Sequence, residues 1–315
     1  MSIALRVDVP VLEAPVRDLV APRLRSRTQL LRDYVALTKP RIIVLLEVTA
    51  LAAMVMAARG WPGTGVVLAT LAGGALAAGG ANAINMWFDR DIDRSMGRTC
   101  SRPIPSGRIA ATHALCFGSG LGLAAFTVLA VFTNMLAALL ASAALLFYVL
   151  VYTMYLKRNS MQNIVIGGAA GAVPPLVGWS AVTGRLDITA LFLFAVVFYW
   201  TPPHFWSLAL LIQGDYARAH VPMLPVVAGV QRTRTFIALY SLILVMVTVL
   251  PWLAGSFGGL YLIGALCLDA LFLADALRVV YDPTPRAARR LFHFSLLYLA
   301  LLFAVMAIDR VVIGG

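Results

Sequence analysis

Nine long apolar runs, separated by short polar stretches, organise the chain. They fall at 42–58, 65–88, 110–130, 134–155, 163–183, 188–212, 236–254, 258–277 and 291–309. Crossing the hydrocarbon core of a bilayer takes roughly 20 apolar residues in a helix. Lipid offers no partner to an unpaired backbone N–H or C=O, so spanning segments of this length and composition must be helical. The pattern therefore predicts an all-α, polytopic membrane protein with nine transmembrane helices. Only Thr133-Asn134 separates the third run from the fourth, which predicts a tight hairpin there.

Composition agrees. Of 315 residues, 61% are hydrophobic and 12% charged, where a soluble domain carries about 25% charged. A soluble protein is excluded. The expected organisation is one membrane domain over 34–315 and a poorly ordered cytoplasmic tail over 1–33. That tail is Arg-rich, but Asp8, Glu13, Asp18 and Asp33 interrupt it. A mitochondrial transit peptide would lack such acids and a secretory signal would carry an apolar core. The expected location is the bacterial inner membrane.

The charge surplus sets orientation. Lys and Arg number 25 against 14 Asp and Glu, a net charge of +11. With alternating spans, only Arg59, Arg185 and Arg310 fall on one side and all other Lys and Arg on the opposite side. The positive-inside rule then predicts a cytoplasmic N-terminus and an external C-terminus. The arginines sit beside apolar spans, where they meet membrane lipid or an anionic substrate, so no nucleic-acid partner is expected. Cys100, Cys116 and Cys267 have neither pairing nor zinc-ligand spacing and read as ordinary thiols. Gly73, Gly74, Gly79 and Gly80 in the second span, and Gly167, Gly168, Gly171 and Gly178 in the fifth, read as close-packing positions.

Candidate chemistry concentrates after the second span, in Asn82 to Arg94. Asn85, Asp89 and Asp93 stand at i, i+4 and i+8, one face of a helix. Two carboxylates and an amide oxygen there suit Mg2+, which takes oxygen ligands and shares its shell with water and phosphate. A solvated cluster with Arg90 and Arg94 is the plainer alternative. Arg98, Arg102 and Arg108 follow, around the stiff turn Arg102-Pro103-Ile104-Pro105-Ser106-Gly107. Arginine's planar fork matches phosphate, so acids for a metal and arginines for phosphate point to a metal–diphosphate site. Positive-inside topology accounts for some of these arginines, Arg108 above all.

The other polar loops add Tyr152 to Arg158 with Lys157, then Gln162 and Asn163, and finally Asp215 to Pro225 with Arg218 and His220. The sixth span carries Trp200-Thr201-Pro202-Pro203-His204-Phe205-Trp206, where the prolines predict a kink. An ionisable His204 inside a span is either functional, as a haem ligand or polar acceptor contact, or a neutral ring bonded between helices. Trp87, Phe88, Tyr148, Tyr152, Tyr199, Trp200, Phe205 and Trp206 crowd the same half of the membrane. They form an interfacial belt, or in part shield an allylic cation.

Taken in order, Thr38-Lys39-Pro40-Arg41, Asn82 to Asp93, Arg102 to Pro105, Tyr152 to Arg158, Asn163 to Gly178, Thr201 to Trp206 and Asp215 to Pro225 resemble the UbiA-type membrane prenyltransferases. The resemblance runs from about Tyr34 to the C-terminus and is nearest to the haem-farnesylating branch. It implies a UbiA-like fold of nine helices around a central cavity with a cytoplasmic mouth, farnesyl diphosphate as donor and haem B as acceptor. Carried over by residue, Asn85, Asp89 and Asp93 would hold Mg2+, with Asp215 a further metal ligand. Arg94, Arg98, Arg102, Lys157 and Arg158 would neutralise the leaving group. Asn82, Tyr152, Asn163, His204, Asp215 and Arg218 would contact substrate. Where the wider superfamily has a second acid pair, this chain has Asp215 alone. A downstream haem A synthase is a partner implied only by the pathway. Two rivals remain at this point: a UbiA-type aromatic prenyltransferase of quinone synthesis, and a membrane transporter or haem binder without catalysis.

Overall fold

Ser26 opens the described chain by capping a helix: its hydroxyl accepts from Gln29 N at 3.2 Å. The computed structural model describes residues 26–282 and 284–312. Helix α1 (Arg27–Thr38) straddles the boundary expected at 33/34, so 26–33 end in helix, while residues 1–25 of the expected tail lie outside the described residues. Lys39 then adopts a left-handed conformation (φ 54°) that ends α1 and starts α2 (Pro40–Ala58) with proline at its first position. Proline suits that position because its missing N–H would have no partner there.

Next come α3 (Thr64–Phe88), the short α4 (Arg90–Ser95), α5 (Ala111–Phe132) and α6 (Met135–Leu146). Asn134 caps α6 through Ala137 N, which makes the expected α5–α6 turn. The fourth span continues from α6 through a ten-residue π-helical stretch, Phe147–Leu156, into α7 (Lys157–Asn159). The fifth is divided into α8 (Asn163–Gly171) and α9 (Pro174–Thr183), because Pro174 and Pro175 cannot donate into the preceding turn. Then follow α10 (Ile188–Leu211), α11 (Gln213–Arg218), α12 (Leu224–Val227), α13 (Val230–Leu253), α14 (Gly259–Tyr281) and α15 (Pro285–Val312).

Among the described residues nine helical segments are long and apolar enough to span a membrane, at the positions expected. α13 and α15 begin about one turn or more before their apolar runs. Arg232 and Arg234, and Arg286, Arg289 and Arg290, therefore ride on helix rather than loop, with stems that can lie along apolar surface while the charge stays wet. α10 runs through Pro202 and Pro203 without a break in assignment.

One core joins α2, α9, α10, α13, α14 and α15 through residues such as Met56, Trp179, Leu193, Phe272 and Phe303. A second joins α3, α5, α6 and α9. α3 and α5 approach closely because Gly80 and Gly118 face each other: a Cβ on Gly80 would stand 2.7 Å from the Gly118 carbonyl oxygen. A third, smaller core packs Leu37 of α1 against Ala83, Met86, Ile104, Ile109 and Ala114. Outward-facing Leu68, Leu123, Phe132 and Ile263 are exposed, as expected of a surface that meets lipid.

Candidate active site

The acidic face survives a break in the helix. α3 ends at Phe88, yet Asp89 N still bonds Asn85 O (2.9 Å) and Asp93 N bonds Asp89 O (2.8 Å). The i, i+4 ladder thus passes through the junction and stacks Asn85, Asp89 and Asp93, all buried, with Asp89 at 0% exposure. Asn85 Nδ2 donates to Asp89 Oδ2 (2.8 Å) and Thr153 Oγ1 (3.1 Å).

Four cations from three parts of the chain converge on this face. Lys157, at the end of the π-helical stretch, donates to Asp89 Oδ2. Arg102 Nη1 lies 2.8 Å from both Asp93 oxygens. Arg158 pairs with both oxygens of Asp91 (2.7 and 2.8 Å), donates to Phe88 O, lies over the Phe88 ring and comes to 3.8 Å from Asp89 Oδ1. Lys39 Nζ donates to Asn85 Oδ1 at 2.9 Å. Burial, then the neighbouring Arg102 and Lys157, push the Lys39 ammonium down to about 7 against the upward pull of Asp93 and Asp89. The Arg158 hydrogen bonds hold the Asp91 carboxyl down at about 2.

Lys39, Asp91 and Thr153 join the candidate site by contact, and sequence reasoning gave none of them a role. Lys39 carried one signal, a lysine beside proline at the mouth of the first span. Its left-handed backbone, which costs a residue with a Cβ about 1 kcal/mol or more, aims it at the cluster.

Other expected residues are placed differently. Asn82 gives its amide donor to the Thr38 carbonyl (3.0 Å), holding the end of α1 beside Lys39. Tyr152 is half-buried; its ring stands 5.2 Å from that of Tyr148, and Gly167 of α8 leaves room for it. Asn163 is fully buried, with Nδ2 on Pro222 O and Oδ1 without a partner. Arg94 and Arg98 are exposed and make no ion pair with another described residue. Asp215 pairs with Arg218 and lies against Gly97 of the loop after α4. His204 stacks between Trp200 (4.4 Å) and Phe292 (4.9 Å), with Nδ1 2.7 Å from Ser295 Oγ. Its partners lie on α10 and α15, not in the acid cluster.

Among the described residues no three acid, histidine or cysteine side chains gather into a set that could hold one ion, so Asp215 does not join Asp89 and Asp93 directly. The two carboxylates and the Asn85 amide nevertheless fit Mg2+ as donors. All are hard oxygens, and Asp89 Oδ1 is buried without a hydrogen bond. Arg102, Lys157 and Arg158 match Asp89, Asp91 and Asp93 in number, Lys39 adds a partial charge near neutral pH, and exposed Arg94 and Arg98 stand in reserve. A site with surplus positive charge behind metal-type ligands is organised to receive a polyanion.

Residues 46–302 match the UbiA prenyltransferase family. The chain belongs to the UbiA prenyltransferase family. It is 54% identical over 289 residues to a protoheme IX farnesyltransferase of Roseiflexus sp. (strain RS-1), covering 92% of this chain and 54% of the relative. It is 53% identical over 289 residues to that of Symbiobacterium thermophilum, covering 91% and 96%. The chain spans about half the length of the Roseiflexus and Thermus thermophilus relatives it matches. Two UbiA-fold structures are similar to it. A digeranylgeranylglyceryl phosphate synthase superposes with TM-score 0.74 at 20% identity, over 90% of this chain and 99% of that one. A UbiA homolog from Archaeoglobus fulgidus, bound to DMAPP and Mg2+, gives 0.63 at 18%, over 88% and 99%. These likenesses establish the UbiA fold, and with the nine apolar helices they make this a multi-pass membrane protein.

Proposed function

We propose that the protein transfers the farnesyl group of farnesyl diphosphate to a vinyl group of haem B, with addition of water, giving haem O and diphosphate. The observation that carries this reading is the cation-rich face around Asp89 and Asp93, with Asp89 Oδ1 left open. Donor and acceptor are those of the relatives called protoheme IX farnesyltransferase, at 51–55% identity. The asymmetry of Lys and Arg supports a cytoplasmic site in a bacterial inner membrane.

The C1–O bond of farnesyl diphosphate breaks with its electron pair passing to diphosphate. The vinyl π electrons form the new C–C bond, and water closes the resulting cation as a hydroxyl, releasing a proton. Held by Asp89, Asp93 and Asn85, Mg2+ would supply Lewis-acid neutralisation of the diphosphate charge. Arg102 and Lys157 now rest on Asp93 and Asp89, and they exchange these partners for phosphate oxygens as substrate arrives. Lys39, on Asn85, adds a third group that is partly charged near neutral pH. Such preorganised charge stabilises the departing anion without reorganisation at the moment of reaction. The half-buried rings of Tyr148 and Tyr152, just before Lys157, offer π faces to an allylic cation.

The test is turnover by detergent-solubilised protein given haem B, farnesyl diphosphate and Mg2+, beside Asp89→Asn. The expected product by mass spectrometry is haem enlarged by farnesyl plus water, formed only with Mg2+ and absent in the variant. Untouched haem with diphosphate released onto a quinone precursor would move the acceptor to an aromatic ring. Consumption of neither substrate by folded protein would overturn the enzymatic reading.

A further inference from the structure

We propose that Asp33 and Arg108 form a positioning pair through which α1 latches the loop that carries Arg102 onto the acid cluster; this rests on the prenyl diphosphate reading above. Arg108 Nε donates to Asp33 Oδ1 at 2.8 Å, across 75 residues of sequence. The same guanidinium donates through Nη2 to Ser101 O at 2.9 Å, the carbonyl next to Arg102. Asp33 is buried at 6% exposure, and its second oxygen has no hydrogen bond. Asp33 thus leans on the same arginine that grips the loop. An ion pair in such a setting is far more sensitive to loss of one partner than an exposed one.

The loop is knotted so that this grip reaches the site. Arg108 N and Ile109 N both donate to Pro103 O, Arg102 N donates to Thr99 O, and Thr99 Oγ1 donates to Asp93 O. Holding one end therefore holds Arg102, whose Nη1 meets both oxygens of Asp93. Leu37 adds an apolar hold on Ile104 and Ile109 one turn along α1. Tyr34, beside Asp33, packs edge-on against Phe117 of α5 at 5.0 Å. The far end of α1 is tied by Asn82 to Thr38 O, and the next residue is Lys39 on Asn85. One short helix thereby places two cations of the site, Lys39 from its own C-terminus and Arg102 through Arg108. Arg108, which sequence alone leaves to topology, acquires a role without touching substrate.

Loosening this latch lets the loop wander in the free protein, whereas bound diphosphate would hold Arg102 by itself. The loss should thus fall on substrate capture and KM, not on kcat. The test uses the full-length chain in detergent as wild type, Asp33→Asn, Arg108→Gln, the double variant and the conservative Asp33→Glu. Three quantities are read: amide exchange over 96–110, affinity for inorganic diphosphate with Mg2+, and kcat and KM for farnesyl diphosphate with haem B. Either single loss should speed exchange in the loop and weaken diphosphate binding about tenfold. KM should rise in proportion while kcat stays within about twofold. The double variant should be no worse than Arg108→Gln, which already removes both the Asp33 and the Ser101 contacts, and Asp33→Glu should stay near wild type. Unchanged loop exchange and diphosphate affinity in Asp33→Asn, confirmed in Arg108→Gln, would overturn the latch. A fall in kcat at constant KM would overturn it too. A wild type that binds Mg-diphosphate but makes no farnesylated haem sinks the substrate reading instead, leaving exchange and diphosphate affinity to judge the latch.

Discussion

Two groups of buried aspartates, handled in opposite ways, separate the candidate site of this molecule from part of its frame. Around Asp89 and Asp93 the partners are Lys157 and Arg102, and one oxygen of Asp89 has no hydrogen bond. In the α13–α15 layer, Asp269 accepts from the hydroxyls of Thr248 and Tyr298, each at 2.6 Å. Asp309 accepts from Gly258 N and Tyr261 N at the start of α14, where otherwise unpaired helix N–H groups point. Neutral donors on a carboxylate between packed helices leave nothing to exchange, so these acids lock three spans together. Mobile cations on a carboxylate can be handed to an incoming anion, while the acid turns to a metal. Burial alone therefore does not mark function. Neither does a cationic partner alone, since buried Asp275 pairs with Arg278 and Arg290, and buried Asp33 with Arg108, outside the cluster. The candidate site differs in gathering several such pairs on one face.

The comparison breaks first at Asp89. Asp89→Asn should cut kcat by about 10³-fold or more, about 4 kcal/mol at the transition state, with the thermal unfolding midpoint little changed. Asp269→Leu should do the reverse, costing about 2 kcal/mol of stability by stranding two hydroxyls. Its kcat per folded molecule should stay near wild type in the haem O assay; a catalytic loss there would merge the two groups. Arg102→Lys keeps charge but loses the fork that covers Asp93. An increase of about tenfold in KM for farnesyl diphosphate is expected from steady-state kinetics. Tyr298→Phe removes a single hydroxyl from Asp269 and should shift stability by only about 0.6 kcal/mol, the scale of hydrogen bonds between membrane helices. Thermal unfolding in detergent would resolve it, with turnover as the control.

Much of the site was legible because it is local. Asn85, Asp89 and Asp93 lie within nine residues, and helical periodicity puts them on one face whether or not the helix breaks at Asp89. Arg102 and Lys157 were legible as charges near that face, though their pairings were not. Lys39 stood in a resembling segment but was given no role, because nothing in that segment says that a left-handed turn aims it at Asn85, 46 residues away. His204 read as either chemistry or packing. The stacking of its ring between Trp200 and Phe292 is a fact of the α10–α15 contact, which no local pattern contains.

What the sequence determined by itself is the set of spans. A bilayer leaves backbone polar groups no partner but their own helix, so apolar length alone dictates nine helices and their approximate ends. The tertiary structure decided which charge meets which. Ion pairs such as Asp33–Arg108, Asp89–Lys157 and Asp91–Arg158 join residues 67 to 75 positions apart. Their choice follows from helix packing, where glycines set how close two spans come and short loops set which ends meet. Coulomb attraction is indifferent to position along the chain, so partner identity enters only once the helices have been packed.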